Sequence, residues 1–512
     1  MFLHDDDSCV IRCKCHSRCG GGIFPMLARG DRPVCWRSTS SRFLSDVGAV
    51  TIFLSTVMLA FPLSAQELQF SRLLKSLNAF GNGAASLCGE TLRKEWVKEV
   101  TNDWYLWNDE LADVSPDHYR KTDAYLSALT APLAEDGRDP GFSYITTRQR
   151  DESQFTSGAY VGFGFRSGLG VENRLYLADV FEDGPAWNAE FRRGMEVLAV
   201  DTGDGFELWT DLLARAATME EVFGPSQIGT TRGFRLLDRD GLVTETYVEK
   251  NELKPPAIAG EPTLIERSGF APVGYLNLRQ FTQSARASLT AASQFFQRNR
   301  VTDFVIDLRY NGGGLLSVAD LMLDLLGGRI ANQQTSFYLA HNDQRSEYNA
   351  YAYFNERPES VDPRRFVFIT TDGTASASEL VINSLAPHSE VVMVGTDTRG
   401  KAVGQYAFDQ PGCDARLRLV SFEMLNGEGL GGYYNGLAAT GRVTLCPAND
   451  ELSKVFADPE EDSLNASLQW LEENACRPRA RVLARPSQQK RDVPEWLMAP
   501  TESHELMNSQ RH

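Results

Sequence analysis

The sequence predicts a multidomain α/β protein with a helical segment first, a β-rich domain next and an α/β core last. Three observations predict this order. Apolar residues recur at helical spacing over residues 92–107, with charged residues between them. Short strand-like runs with intervening glycines fill residues 157–250, which is typical of a small antiparallel sheet. From residue 274 to 405, apolar strands alternate with helix-length segments, which is typical of a sheet covered by helices.

Length, composition and charge limit the classes of function. A chain of 512 residues is long enough for two to four domains. Its formal net charge of −17 argues against nucleic acid or an anionic membrane as the main partner. The sequence contains no H-E-x-x-H zinc motif, no G-x-S-x-G elbow and no Walker loop. We therefore expect no metal and no organic cofactor.

Residues 1–65 have the pattern of a secretory signal. Four arginines between residues 29 and 42 precede the apolar run 47–61, and a small-residue cleavage site ends at Ala65. Translation from Met26 would place this signal at the start of the chain. We expect an exported protein, periplasmic or secreted, and the alternative is an uncleaved segment that keeps the chain at a membrane.

The helical segment over residues 66–150 carries no motif to which we assign chemistry. The β-rich domain after it contains Gly162-Phe163-Gly164-Phe165, which resembles the carboxylate-binding loop of a PDZ domain. Residues 183–186 and 193–201 resemble a later turn and strand of that fold. The resemblance implies a PDZ-like domain over residues 157–250, whose loop amides bind a terminal carboxylate while the peptide extends the sheet.

The stretch 366–405 is the centre of the predicted core. Its apolar runs 366–369 and 391–394 predict buried strands, and a short helix over about 377–385 separates them. Ser376 falls at the start of this helix, and Lys401 follows the second strand. Catalytic groups in such units gather where strands end and helices begin.

A serine hydroxyl needs a base to become a useful nucleophile. A lysine can serve when burial lowers its pKa enough to leave the amine neutral. Lys401 lies among the small and apolar residues 400–404, which is compatible with a desolvated amine. Taken alone, Ser376 followed by Glu379 indicates only a capping box at a helix start. His388 is an alternative base, but its neighbours indicate an exposed turn.

The segment Thr-Ala-Ser-Ala-Ser-Glu resembles the Ser–Lys active site of the C-terminal processing peptidases, also called tail-specific proteases. Lys401 stands 25 positions after Ser376, and Gln405 stands four positions after Lys401, as in that family. The resemblance implies that Ser376 is the nucleophile, that Lys401 is the general base and that Gln405 holds the lysine. It also implies a crotonase/Clp-like ββα peptidase core over residues 255–475.

The segment Asp-Leu-Arg-Tyr-Asn-Gly-Gly-Gly, residues 307–314, resembles a second motif of the family, D-L-R-x-N-x-G-G. Glycine amides of that motif help to form the oxyanion hole, because no Cβ blocks their approach. The resemblance pairs the amide of Gly313 or Gly314 with that of Ala377. The family usually has proline where Gly312 stands. Without the resemblance, three glycines would indicate an ordinary turn.

An even number of cysteines follows the predicted signal, and in an exported protein this favours disulfides. Cys413 and Cys446 bracket a glycine-rich segment and are the preferred pair, with Cys88–Cys476 as a second pair. Buried free thiols are the alternative.

Two further stretches complete the domain prediction. Residues 337–365 are polar and show little periodicity, which predicts a mobile insertion near the site. Residues 463–475 have the spacing of an amphipathic helix. Residues 477–512 are rich in Arg, Pro, Ser and Gln and predict a disordered tail.

Together these features predict an exported serine endopeptidase that recognises protein substrates through free C-termini. One alternative is a catalytically silent PDZ-type peptide-binding protein on the same fold. The other is a crotonase-type acyl-CoA enzyme, which the export signal and the PDZ-like domain disfavour.

Overall fold

The structure is a computed structural model that describes residues 88–477. The predicted signal over residues 1–65 and the predicted tail after residue 477 lie outside the described residues. Within residues 88–477, every helix is too short or too polar to cross a membrane.

The described part of the chain contains short helices and many strands. The α-helices are α1 (Glu90–Trp104), α2 (Thr122–Leu129), α3 (Ala131–Glu135), α4 (Arg148–Ser157), α5 (Pro185–Asn188), α6 (Trp209–Ala214), α7 (Met219–Phe223), α8 (Ala285–Arg298), α9 (Leu316–Gly327), α10 (Ala377–Leu385) and α11 (Asp462–Glu473). The 3₁₀ helices are Pro116–His118, Val171–Asn173, Asp343–Tyr348 and Ala438–Thr440.

The strands in chain order are β1 (Tyr144–Thr146), β2 (Tyr160–Gly162), β3 (Phe165–Leu169), β4 (Leu175–Val180), β5 (Glu196–Asp201), β6 (Phe206–Leu208), β7 (Thr231–Leu237), β8 (Val243–Glu249), β9 (Asn251–Leu253), β10 (Thr263–Arg267), β11 (Phe270–Asn277), β12 (Asp303–Asp307), β13 (Thr335–His341), β14 (Ala350–Tyr353), β15 (Arg365–Thr370), β16 (Glu390–Gly395), β17 (Val403–Asp409), β18 (Arg416–Asn426) and β19 (Thr444–Pro447).

A six-stranded sheet in the order β10-β11-β12-β15-β16-β19 forms the core of the C-terminal half. From β11 to β19 the neighbours are parallel, and β10 pairs antiparallel with β11. Alternate residues face two apolar clusters: Phe304 and Ile306 pack with α8, α9 and α10, whereas Val305 packs with α11. Helices on both faces explain why these strands are continuously apolar. This arrangement confirms the predicted α/β core.

A second sheet carries the segment that follows Lys401. Its antiparallel strands run in the order β1-β18-β13-β14, and β17 pairs with the other edge of β18. Helices α1 to α3 cover this sheet through an apolar cluster that includes Trp96, Val97 and Leu126 from the helices and Val403 and Leu419 from the strands. The N-terminal segment therefore packs directly against the strand that contains Gln405.

A third, antiparallel sheet forms the β-rich domain. Its order is β3-β4-β5-β7-β8, with β6 on β5, and β2 and β9 form a separate ribbon. Buried phenylalanines fill its core, including Phe163, Phe165 and Phe234. Strand β3 is an edge strand, so one side of its backbone lacks a neighbour within this sheet.

Two local predictions are wrong. Residues 337–365 are ordered structure, because most of β13, the Asp343–Tyr348 turn and β14 lie there and β13 pairs with β18. The sequence pattern did not predict this hairpin, because only one face of β13 is buried and β14 is an exposed edge strand. The helical pattern over residues 92–107 also overestimates the length of the first helix. Helix α1 ends at Trp104, because the backbone of Tyr105 is extended.

The predicted disulfide between Cys413 and Cys446 is also wrong. The structure joins Cys88 to Cys413 and Cys446 to Cys476, with Cα–Cα distances of 5.6 Å and 5.2 Å. The second predicted pair, Cys88–Cys476, is wrong as well, because each of these cysteines is bonded to a different partner. The glycine-rich segment between Cys413 and Cys446 runs from one sheet to another, since β18 belongs to the antiparallel sheet and β19 to the six-stranded sheet. No local sequence signal indicates this separation.

We expect the double substitution Cys446→Ala/Cys476→Ala to lower the free energy of unfolding by roughly 2–4 kcal/mol. The disulfide closes a segment of 30 residues and thereby restricts the unfolded chain. Urea denaturation of the oxidised wild type and the double variant measures the difference. A peptide map of the unreduced protein that links Cys413 to Cys446 would contradict the observed pairing.

Candidate active site

Ser376 lies in a strained turn between β15 and α10. Its backbone angles, φ 57° and ψ −116°, are unusual for a residue with a side chain. Such strain costs about 1–3 kcal/mol and persists where neighbouring contacts enforce it. Here the Ala375 amide and the Ser378 hydroxyl both donate to the Asn311 carbonyl, at 3.1 Å and 3.0 Å. These bonds fix the turn on both sides of Ser376.

The glycine-rich loop after β12 lies directly against this turn. A Cβ on Gly313 would lie 2.9 Å from Ser376 Cβ and 2.9 Å from the Ala377 amide nitrogen. Gly314 has a φ of 142°, and a Cβ there would collide with the Phe281 carbonyl oxygen. Only glycine fits at both positions. The structure thus brings Gly313 beside Ser376 and the Ala377 amide, and Gly314 beside Phe281.

The amides of this region have different partners. The Gly313 amide donates to Asn311 Oδ1 at 2.9 Å and so holds the loop in shape. Ala377 is the first residue of α10, where an amide has no partner in its own helix. Gly314 lies opposite Phe281 in a parallel β-bridge. The Phe281 amide donates to the Gly313 carbonyl, and the Leu315 amide donates to the Phe281 carbonyl, so the Gly314 amide points away from Phe281. Of the three amides predicted for the oxyanion hole, that of Gly313 is therefore bound within its own loop.

A buried carboxylate connects Ser376 to Lys401. Glu379 is completely buried, and its Oε2 accepts hydrogen bonds from the amides of Ser376 at 2.8 Å and Lys401 at 2.9 Å. Its Oε1 accepts from the Gly400 amide at 2.7 Å, and the Thr398 side chain is a further partner. Burial raises the pKa of Glu379 to about 7, although these donors act in the opposite direction. One side chain thus holds both candidate catalytic residues by their backbones.

The side chain of Lys401 is held from two directions. Its Nζ donates to Gln405 Oε1 at 2.6 Å, and Nζ lies 5.0 Å from the centre of the Phe142 ring. Gln405 Nε2 donates to the Phe142 carbonyl oxygen. Lys401 and Gln405 are therefore in contact, as the resemblance implies.

The β-rich domain contacts the back of the glycine-rich loop. Arg166 Nη1 donates to the Tyr310 carbonyl at 3.0 Å, and Arg193 Nη1 donates to the Tyr310 hydroxyl at 3.0 Å. Asp450 pairs with both Arg193 and Arg309 at 2.8 Å. Burial alone would raise the pKa of Asp450, but the two arginines lower it to about 2. This buried ionic network supports the loop next to Gly313.

The loop predicted to bind peptide connects β2 to β3. The rings of Phe163 and Phe165 are buried in the domain core. The Phe163 and Gly164 carbonyls accept from the amides of Ala186 and Phe181, both at 2.8 Å. Gly164 has a φ of 92°. Gly162 ends β2 and Phe165 begins β3, and all residues from 162 to 168 are buried.

His388 lies at the opposite end of α10 from Ser376. A nine-residue helix is about 13 Å long, and the His388 ring packs on Phe354 with 5.1 Å between ring centres. The structure therefore does not bring His388 to Ser376.

Sequence reasoning missed the wider role of Glu379 and the part played by Phe142. The capping box gave a signal for Glu379, but only for its bond to Ser376. No local signal marks Phe142, because it contacts Gln405 across 263 positions of the chain.

Comparison with known proteins identifies two matching domains. Peptidase family S41 matches residues 272–431, which contain Ser376, Lys401 and the glycine-rich loop. The peptidase S41 N-terminal domain matches residues 93–144, which contain Phe142.

Similar proteins include two processing proteases. A carboxyl-terminal-processing protease of Synechocystis is 24% identical over 360 residues, which cover 67% of this chain and 79% of that protein. The chloroplastic carboxyl-terminal-processing peptidase 3 of Arabidopsis thaliana is 26% identical, over 60% of this chain and 59% of that protein. The crystal structure of a protein described as an S41 protease from Bacteroides fragilis has a TM-score of 0.60 and 25% identity, and covers 74% of this chain and 97% of its own.

We expect the stability of the wild type to fall, relative to Glu379→Gln, as the pH rises from about 4.5 to about 7. The folded protein holds the Glu379 proton up to about pH 7, whereas the ordinary pKa of glutamate is 4.5, so the folded state binds more protons in this window. The contribution lost is on the order of 3 kcal/mol. Urea unfolding of both proteins at several pH values measures it. A wild type that instead gains stability over the variant with rising pH would show that Glu379 is ionised.

Proposed function

This chain belongs to peptidase family S41 and is a serine-type peptidase, and from that premise we propose that it is an exported endopeptidase with a Ser376–Lys401–Gln405 mechanism. Its substrates are proteins recognised through their C-terminal tails. The observation that carries the proposal is the Glu379 carboxylate, one oxygen of which accepts from the amides of both Ser376 and Lys401. A structural helix cap needs only the first of these bonds.

In the proposed mechanism, the neutral Lys401 amine accepts the Ser376 hydroxyl proton as Oγ attacks the scissile carbonyl carbon. The carbonyl oxygen becomes an oxyanion and accepts hydrogen bonds from the Ala377 and Gly314 amides, helped by the N-terminal end of α10. Lys401 then gives its proton to the leaving amine as the peptide bond breaks. Water then attacks the carbonyl carbon of the acyl-enzyme and gives a proton to Lys401. The bond to Ser376 Oγ breaks, Oγ takes the proton from Lys401, and the product leaves as a carboxylic acid.

Gln405 has a separate task in this mechanism. Its Oε1 accepts from Lys401 Nζ and limits the rotation of a flexible side chain. A fixed amine is positioned for proton transfer at lower entropic cost.

The β-rich domain is proposed to bind the substrate's tail as a PDZ-like domain. One feature supports this role: β3 is an edge strand of its sheet, and the Gly162–Phe165 loop leads directly into it. A peptide would add antiparallel to β3, with its terminal carboxylate at the loop. The apolar pattern of residues 47–61 supports export of the chain.

A catalytically silent peptide-binding protein is the second candidate. The unpaired edge of β3 would serve such a protein equally well. The strained Ser376 turn and the contact of Lys401 with Gln405 favour catalysis, since neither is needed for binding at β3.

We expect Ser376→Ala to lower the cleavage rate of an unfolded reporter protein with an apolar C-terminal tail by about 10³-fold or more. Ser384→Ala is a matched control, because Ser384 lies on the same helix and its buried hydroxyl has no hydrogen-bond partner among residues 88–477. Full activity of Ser376→Ala would exclude Ser376 as the nucleophile.

Lys401→Ala should abolish cleavage to a similar degree, because the proposed mechanism removes the Ser376 proton through the Lys401 amine. Lys454→Ala is the control, since this lysine pairs with Glu460 in a partly exposed ion pair. If the wild type and both catalytic variants bind the tail but none cleaves it, the peptide-binding function replaces the peptidase.

Amidation of the reporter's C-terminus should lower kcat/KM by about 10- to 100-fold, chiefly through KM. A carboxylate bound by loop amides loses charge-assisted hydrogen bonds of roughly 1.5–3 kcal/mol when it is neutralised. Equal cleavage of the free-acid and amidated reporters by the wild type would contradict recognition through the terminal carboxylate.

A further inference from the structure

The loop between α3 and β1 belongs to the N-terminal segment, yet it reaches the candidate base. Its Phe142 carbonyl accepts from Gln405 Nε2, and its Phe142 ring lies over Lys401 Nζ.

The Phe142 carbonyl determines which way the Gln405 amide faces. A carbonyl oxygen only accepts hydrogen bonds, so it selects the NH₂ group of the glutamine. The Gln405 oxygen then faces the other way, toward Lys401, and accepts a hydrogen bond from its Nζ. With the carbonyl displaced, the amide could rotate and present its NH₂ group to the lysine. The position of Phe142 therefore determines whether Gln405 presents its oxygen or its NH₂ group to Lys401.

A completely buried carboxylate, Asp139, fixes this loop. Asp139 accepts from the Tyr105 hydroxyl at 2.9 Å, the Ser143 amide at 3.0 Å and the Ser143 hydroxyl at 2.7 Å. The Ser143 hydroxyl in turn accepts from the Val420 amide at 3.1 Å. Val420 is the residue of β18 that pairs with Gln405 of β17. The bonds from Asp139 thus fix the loop against the strand pair that carries Gln405.

We propose that Asp139 is a positioning residue for the catalytic base, acting through Ser143 and the Phe142 carbonyl on the Gln405 amide. This inference rests on the proposed Ser376–Lys401–Gln405 mechanism. Asp139 does not touch the reacting atoms. Its effect is on the fraction of molecules in which Lys401 is held for proton transfer.

The first variant is Asp139→Asn, which preserves size but places an NH₂ group among donors. The loop must shift to relieve this contact, and a shift of about 1 Å at a positioned group can cost about 10²-fold in rate. We expect kcat for reporter cleavage to fall between about 10- and 100-fold with KM unchanged, because the base acts in the chemical step. A variant with wild-type kcat, or with a change in KM alone, would overturn the proposal.

The second variant is Tyr105→Phe, with Tyr125→Phe as its matched control. Both tyrosines are buried in the same apolar cluster, but the Tyr125 hydroxyl has no hydrogen-bond partner in the described part of the chain. Tyr105→Phe removes one donor from Asp139 and should lower kcat by less than Asp139→Asn. Tyr125→Phe should leave kcat unchanged. Equal effects of the two changes would mean that general packing, rather than Asp139, is responsible.

A double-substitution cycle with Gln405→Ala separates positioning from a general loss of structure. If Asp139 acts through Gln405, Asp139→Asn should change kcat by less than about 3-fold once Gln405 is alanine, since coupled residues are not additive. An undiminished loss in the Gln405→Ala background would contradict the proposal.

Crystal structures of the wild type and Asp139→Asn test the proposal without activity. We expect the bond between Gln405 Nε2 and the Phe142 carbonyl to be present in the first and lost in the second. If it persists in Asp139→Asn, the positioning role is wrong even if the protein is a peptidase. If it is lost while the wild type cleaves no reporter, the loop acts as proposed and the assigned activity is at fault.

Discussion

The bonds made by the Glu379 carboxylate are the interaction on which the candidate active site depends. Ser376 belongs to a turn that follows one parallel strand, and Lys401 follows the next strand of the same sheet. The sheet places both at its C-terminal edge, but it does not fix the distance between two irregular segments. A buried acceptor with three backbone donors does fix it, because a lost bond would leave an amide unpaired in an apolar interior.

The elements of the core could be predicted because their signals are local. Two apolar runs and a capping box predicted β15, β16 and α10, and the structure has α10 at the predicted bounds, Ala377–Leu385. The amphipathic spacing of α11 predicted that helix to within about two residues. The hairpin of β13 and β14 escaped prediction because one face is exposed, and its strands are stabilised by pairing with the distant β18.

The residues of the candidate site show the same difference between local sequence signals and contacts that are distant in the chain. Ser376, Lys401, Gln405 and the glycines follow motifs that can be read along the chain, although their roles are assigned by resemblance. Asp139 and Phe142 have no such motif, since their bonds depend on how the N-terminal segment packs against β17 and β18. The cysteine pairing failed for this reason too: Cys88 meets Cys413 only because α1 lies beside the second sheet.

That first disulfide has a consequence for a protein that breaks peptide bonds. It spans 325 positions and encloses the β-rich domain, the glycine-rich loop, Ser376 and Lys401 within one covalent ring. A single cut anywhere inside the ring, by a neighbouring copy or by another protease, opens the ring without releasing a fragment. The nicked molecule keeps its mass and its N-terminal segment, and it separates into two pieces only after reduction.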